Sequence, residues 1–189
     1  MTRILTMAAA VLFMAGAAWG EELGVGDDGL HKSSWMRDTF KDLQDDLAEA
    51  NAEGKRLMLI IEQRGCIYCR KMHEEVFVRD DIATMLEEDF FVIQINMFGD
   101  VEVTDFDGEA MREKEAVRRW RQQFTPTIML FPEEVPEDQT AEDAALVVMP
   151  GAFSANTTKN LLTWVRDKIY LEQPSFQKYH ADMINAQKG

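Results

Sequence analysis

Cysteine is scarce in this chain. Two occur in 189 residues, both inside the single stretch Cys66-Ile67-Tyr68-Cys69. A small scaffold stapled by disulfides scatters its cysteines, so that class is excluded. A structural zinc site needs four ligands, and no second Cys or His pair joins Cys66, Cys69 and His73. His73 therefore reads as a surface residue of a helix, and no metal or other cofactor is expected. Positive charge is short as well: 20 Lys and Arg stand against 34 Asp and Glu, a formal net charge of −14. With no basic patch or arm, nucleic acid is not an expected partner. Beyond the first twenty residues no apolar run approaches the ~20 residues that span a bilayer, and no repeat or low-complexity tract appears.

The first twenty residues have the composition of an address. Arg3 gives a short positive start, residues 4–18 are almost wholly apolar, and Ala18-Trp19-Gly20 sets small residues at −3 and −1 of a cut before Glu21. That pattern predicts a cleaved signal peptide over residues 1–20, with no stable membrane insertion of the mature protein. Cleavage removes Arg3 as its only charged residue and takes the formal charge from −14 to −15.

Residues 21–33, rich in Gly and Asp, read as a flexible leader. A domain over 34–171 and a C-terminal tail over 172–189 follow. Trp35, Met36, Phe40, Leu43 and Leu47 lie at helical spacing, with Ser33 or Ser34 as the N-cap and Gly54 past the end. The unbroken apolar runs 57–61 and 90–95 predict strands covered on both faces. Residues 99–108 alternate valine and phenylalanine with acids and read as a small solvated hairpin or insert; the Asp105-Phe106-Asp107-Gly108 spacing is short of a calcium loop. Residues 111–124 predict a helix and 125–131 a turn and strand, with a polar loop over 132–143. A short strand at 146–149 and a last strong helix at 155–171 complete the domain. Asn156-Thr157-Thr158 matches a glycosylation sequon but fits a helix start better. Phe176 and Tyr179 suit a tail that docks back, with fraying final residues.

The chemistry concentrates at residues 65–73. A strand, a tight turn and a helix-compatible stretch from 66 to 78 put Cys66 and Cys69 on a first helical turn. The unpaired N–H groups there and roughly half a positive charge favour a thiolate. Such a setting lowers a thiol below its usual ~8.5. Two sulfurs this close form a reversible two-electron couple, and a lone C-x-x-C opening a helix in an exported chain points to redox chemistry. Arg64 and Arg70 are near enough in sequence to assist the Cys66 thiolate.

The order strand, CxxC helix, helix, strand, helix, Thr-Pro strand, strand, helix resembles the thioredoxin fold over most of residues 35–171. That is an α/β fold whose central mixed sheet is flanked by helices, here with an N-terminal helix and an acidic surface insert. The resemblance implies that Pro126 is cis and faces the cysteines, and that Thr125 keeps backbone groups free for an extended substrate segment. It also implies that Cys66 attacks and Cys69 resolves, with Ile67 and Tyr68 tuning the potential. The family's buried strand aspartate falls on Ile60 here, which leaves Glu62 as proton acceptor for Cys69 or, equally, as a strand-end surface carboxylate. The tryptophan that usually precedes the first cysteine is replaced by Gly65.

More closely, Cys66-Ile67-Tyr68-Cys69-Arg70-Lys71-Met72-His73, the insert at 98–108 and Phe124-Thr125-Pro126-Thr127 are similar to the exported SoxW-type proteins of bacterial sulfur oxidation. That resemblance implies a periplasmic thiol–disulfide oxidoreductase acting as a reductase of disulfides or sulfur-bound thiols on exported proteins. Electrons would come from a membrane donor of the CcdA/DsbD kind. A DsbA-like thiol oxidase and a non-catalytic binding module are the alternatives.

Overall fold

The computed structural model describes residues 24–187. The expected signal peptide and the fraying of the last two residues lie outside that range. Two apolar runs become the centre of the sheet, as their composition requires: β4 (Arg56–Glu62) and β5 (Phe90–Asn96) pair in parallel with Ile60 beside Gln94 and Glu62 beside Asn96. β8 (Thr127–Leu130) runs antiparallel to β4, and β9 (Val147–Pro150) runs antiparallel to β8. The short β3 (Met36–Arg37) closes the other edge, giving the order β3-β5-β4-β8-β9. This is the expected mixed sheet, with helices on both faces.

Period-two alternation splits the core cleanly. Met58 and Ile60, Phe90 and Val92, and Ile128 and Leu130 face one layer, while Leu57, Leu59 and Ile61, Phe91, Ile93 and Ile95, and Met129 and Phe131 face the other. The first layer is covered by α2 (Ile67–Lys71), the π turn Met72–Val76, α3 (Asp80–Asp89) and α6 (Ala155–Arg166). The second is covered by α1 (Leu43–Ala52), α4 (Glu113–Arg119) and α5 (Ala141–Ala144). Burying each large aliphatic side chain contributes about 1.5–3 kcal/mol, so both layers are needed to hold the sheet.

Four expectations change. The helix expected from residue 35 starts only at Leu43, because Asp42 caps it by accepting from the Gln44 and Asp45 N–H groups, while Met36 and Arg37 join the sheet against Val92 and Ile93. Lys41, at φ +58, breaks the intervening chain, and Phe40 is fully exposed. The leader is not loose over its described part: β1 (Gly24–Val25) pairs with β2 (His31–Lys32), and Leu30 is buried. The helix at 155 stops at Arg166 and is not the last, since α7 (Phe176–Ala186) docks Phe176 and Tyr179 into the first layer. The insert forms the hairpin β6 (Glu102–Thr104) and β7 (Ala110–Arg112), but its Asp105 is wholly buried rather than solvated. Among the described residues no helix is long and apolar enough to cross a membrane.

Candidate active site

β4 ends at Glu62, and the turn that follows needs a left-handed residue, supplied by Gly65 at φ +72. Cys66 is then the N-cap of α2, and its sulfur accepts from the Cys69 N–H at 3.0 Å. The two cysteines are joined as a disulfide, with Cα atoms 5.2 Å apart. Cys69 is 1% exposed and Cys66 9%, so the attacking position of the sequence reading is the more accessible one. Between them Ile67 and Tyr68 stand out into solvent at 68% and 63% exposure.

The Thr125–Pro126 peptide bond is cis, and the chain there meets the cysteines: the Thr125 hydroxyl donates to Cys66 Sγ at 3.3 Å. Pro126 is buried and its carbonyl accepts from Gly151 N–H at 2.7 Å. Among the described residues neither backbone group of Thr125 has a backbone partner. A groove of about 560 Å³ opens beside this contact, lined by Tyr68, Lys71, Val76, Phe124, Thr125 and Phe153. Phe124 is 62% exposed at its rim.

Among the described residues neither arginine hydrogen-bonds the Cys66 sulfur, whose donors are the Cys69 N–H and the Thr125 hydroxyl. Arg64 turns away and donates to the carbonyls of Asp28 and Asp27, both at 3.2 Å, while Arg70 lies 4.0 Å from Glu74. Gly29 lets Arg64 pass, because a Cβ there would sit 2.6 Å from its Nε.

Burial decides between the two readings of Glu62 and overturns the one given for His73. Glu62 is fully buried, which removes the surface-carboxylate alternative, and His73 is fully buried too, which corrects its reading as a surface residue. They meet: His73 Nε2 lies 3.0 Å from Glu62 Oε1. Gln94 Nε2 donates to Glu62 Oε2 at 2.6 Å and to the His31 carbonyl at 2.8 Å. The His73 ring stacks on His31 at 4.9 Å and is flanked by Trp35 and Phe77. Burial, and then the neighbouring His73, holds His31 below the ordinary histidine value. The physical reason for the miss is the hairpin Gly24–Lys32, which folds over this end of α2 and takes it out of water. One signal was available: Met58, Ile60 and Glu62 share a strand face, and Cys69 and His73 share a helix face. Among the described residues no group of three or more His, Cys, Asp or Glu side chains is placed to hold a metal.

The geometry has counterparts. Residues 43–163 match the family described as thioredoxin-like domain. No curated protein matches the chain in sequence. Among solved structures, a thioredoxin-fold protein from Helicobacter pylori is similar over 70% of this chain and 86% of its own, at 18% identity and a TM-score of 0.53. A thioredoxin from Thermus thermophilus is similar over 66% of this chain and 83% of its own, at 20% identity and a TM-score of 0.50. At those identities the likeness is one of fold.

Proposed function

The chain belongs to the thioredoxin-like domain family, and from that premise we propose that it is an exported thiol–disulfide oxidoreductase, working as a reductase on protein disulfides. The observation that carries this reading is the disulfide itself. Its Cys66 sulfur sits at a helix N-terminus, receives the Cys69 N–H and meets the Thr125 hydroxyl. Those donors, added to the helix field, favour a Cys66 thiolate once the pair is reduced.

The reduced protein attacks one sulfur of a partner disulfide through Cys66, forming a mixed disulfide and releasing the first partner thiolate. Cys69 then loses its proton and attacks Cys66, closing the Cys66–Cys69 bond and releasing the second partner thiolate. Two electrons pass from the dithiol to the partner, and two protons go with them. An extended segment of the partner lies along Thr125, whose free backbone groups pair with it, while Ile67, Tyr68 and Phe124 offer apolar contact. The resemblance to the SoxW type favours a periplasmic setting, an exported thiol or disulfide protein as partner, and a membrane donor of the CcdA/DsbD kind to restore the dithiol. The signal-like residues 1–20 support the same setting.

The test is a pair of variants in a protein-disulfide reduction assay. Cys66→Ser abolishes reduction, whereas Cys69→Ser accumulates the mixed disulfide on Cys66. Retained activity in Cys66→Ser would sink the reading. Equilibration against glutathione buffers fixes direction: a potential near the oxidising end of the roughly −270 to −120 mV range of such couples would make the protein an oxidase instead.

A further inference from the structure

We propose that the acidic pocket between the β3 edge and the first half of α1 is a docking site for a basic side chain, arginine or lysine, of a partner protein. The pocket lies against the second layer of the core, on the sheet face opposite α2, so it serves a purpose separate from the Cys66–Cys69 exchange.

Four observations lead to it. The pocket holds about 710 Å³, and among the described residues Asp38, Asp42, Asp45, Asp46 and Glu49 line it against one cation, Arg37. Asp42 is occupied as the N-cap of α1 and Arg37 is engaged by Glu53, so the other acids face the pocket without a cation. Second, Asp46 lies at the pocket floor with 3% exposure, and among the described residues its Oδ2 has no hydrogen-bond partner. A buried carboxylate oxygen left unpaired is destabilising, and a donor brought in from outside relieves it. Third, a guanidinium already rests on this wall: Arg37 lies over the Phe91 ring, 5.1 Å from its centroid, and reaches the Glu53 carboxylate. A ring face beside carboxylates suits a second cation of that shape. Fourth, Phe40 stands fully exposed at the lip, next to Lys41 at φ +58. A whole aromatic ring left in water beside the acids gives an apolar residue of the partner a surface to cover.

The chemistry selects the occupant. Among the described residues no three His, Cys, Asp or Glu side chains are placed to hold a metal, so a compact ion lacks its ligand set. A slim stem with a charged head reaches the sunken Asp46 while its methylenes pass Phe40. The exposed ring favours a protein over a free polyamine, which carries no apolar neighbour to cover it. A chain of net charge −14 also draws partners with a positive face. Asp46 gives the site a response to pH. The groups that face it are Asp42, Asp45 and Glu49 from α1 and its cap, and Arg37, Asp38 and Thr39 from the β3 segment. Phe91 of β5 closes the remaining side without titrating, and Lys41 turns away to Glu113. Burial, opposed by the Thr39 hydroxyl and reinforced by the neighbouring acids, raises Asp46 to about 7. A cation seated beside it favours the ionised form, so binding expels the Asp46 proton and tightens as pH rises.

The experiment titrates isotope-labelled protein with the peptide acetyl-Leu-Arg-Leu-amide and follows the backbone amide resonances. The shifts saturate and centre on residues 38–49. The citrulline counterpart, equal in shape but uncharged, binds about tenfold or more weakly, as expected for loss of a charged hydrogen-bond donor. From pH ~6 to pH ~8 the wild-type affinity rises about tenfold, following the ionised fraction of a group that titrates at about 7. Asp46→Asn keeps the shape of the side chain, binds the peptide weakly at both values and loses that rise. Phe40→Ala, on the exposed lip and safe for folding, weakens the peptide severalfold. Unmoved amides over 38–49, equal binding of the citrulline peptide, or a wild-type pH response in Asp46→Asn would each overturn the site. Spermine bound as tightly as the peptide, or no loss in Phe40→Ala, would overturn the protein partner.

Discussion

Glu62 and Asp105 are both carboxylates with no solvent exposure, one under each face of the same sheet, and they keep different company. Asp105 accepts from Trp120 Nε1, from the Phe106 N–H and from the Ala141 N–H, each at 2.8 Å, with Arg119 at 3.2 Å. None of those donors can give up its proton near neutral pH, so the cluster is a clasp: it ties the insert to α4 and to the start of α5. Glu62 is held instead by an amide and an imidazole. The same side-chain chemistry is therefore held on one face by fixed N–H donors that tie three segments together, and on the other by an amide and an imidazole next to the helix that carries Cys69.

The largest way to break that comparison is Asp105→Ala. Removing the acceptor strands an indole N–H, two backbone N–H groups and part of a guanidinium in a dry layer. Deleting one side of such an arrangement costs about 3–5 kcal/mol. A urea titration of the oxidised protein reads this as a lowered midpoint, with exchange by the Cys66–Cys69 pair preserved in the folded fraction. If the midpoint stays put, Asp105 is no clasp. If exchange falls in the folded fraction as well, Asp105 also supports the cysteine site and the two faces do not divide the labour.

Asp46 supplies a third kind of buried acid and a smaller effect. It is 3% exposed on α1, and among the described residues its Oδ2 has no partner. Burial raises its pKa to about 7, with the Thr39 hydroxyl opposing and Asp42, Glu49 and Asp45 adding. A group that binds its proton more tightly in the folded than in the unfolded chain subtracts stability as pH rises from the ordinary aspartate range to about 7. The penalty is absent in acid and complete above neutrality. Asp46→Asn therefore stabilises the protein at pH ~8 by about 1–2 kcal/mol, on the scale of an uncompensated buried polar group, and the gain shrinks toward pH ~4. A thermal melt at both values checks it, and an equal gain at both would show that burial of the charge is not the cause.

How much of this the chain announces in advance depends on how local each feature is. The strands at 56–62 and 90–96, the CxxC turn and the Thr125–Pro126 approach depend on runs and turns that neighbouring residues specify. All are visible in composition and order. Met36 and Arg37 were hidden because pairing with Val92 and Ile93 overrides a helical spacing that Lys41 then interrupts. His73 was hidden for a longer-range reason. Its burial comes from His31, forty-two positions earlier, in a hairpin whose Gly- and Asp-rich composition signals no packing. Asp105 looks like one acid among several in the insert, and only the approach of Trp120 and Ala141 distinguishes it. Buried polar groups are the part of a fold least visible in sequence, because satisfying them takes donors from distant segments.

Arg119 offers the smallest effect and the finest test of the clasp. Its guanidinium reaches Asp105, Asp107 and Glu109 but stays partly exposed, and it holds Asp107 below the usual carboxylate range chiefly through a direct hydrogen bond. Solvent screens such a pair, so Arg119→Met costs no more than about 1 kcal/mol, because Trp120 and the two backbone N–H groups still satisfy Asp105. A carboxylate whose proton affinity falls on folding adds stability only above its ordinary titration range. The difference between wild type and Arg119→Met therefore closes as pH drops below about 3.8. Chemical denaturation at neutral and acid pH measures both numbers. A loss as large as that of Asp105→Ala would mean that charge, rather than the fixed N–H donors, holds the insert in place.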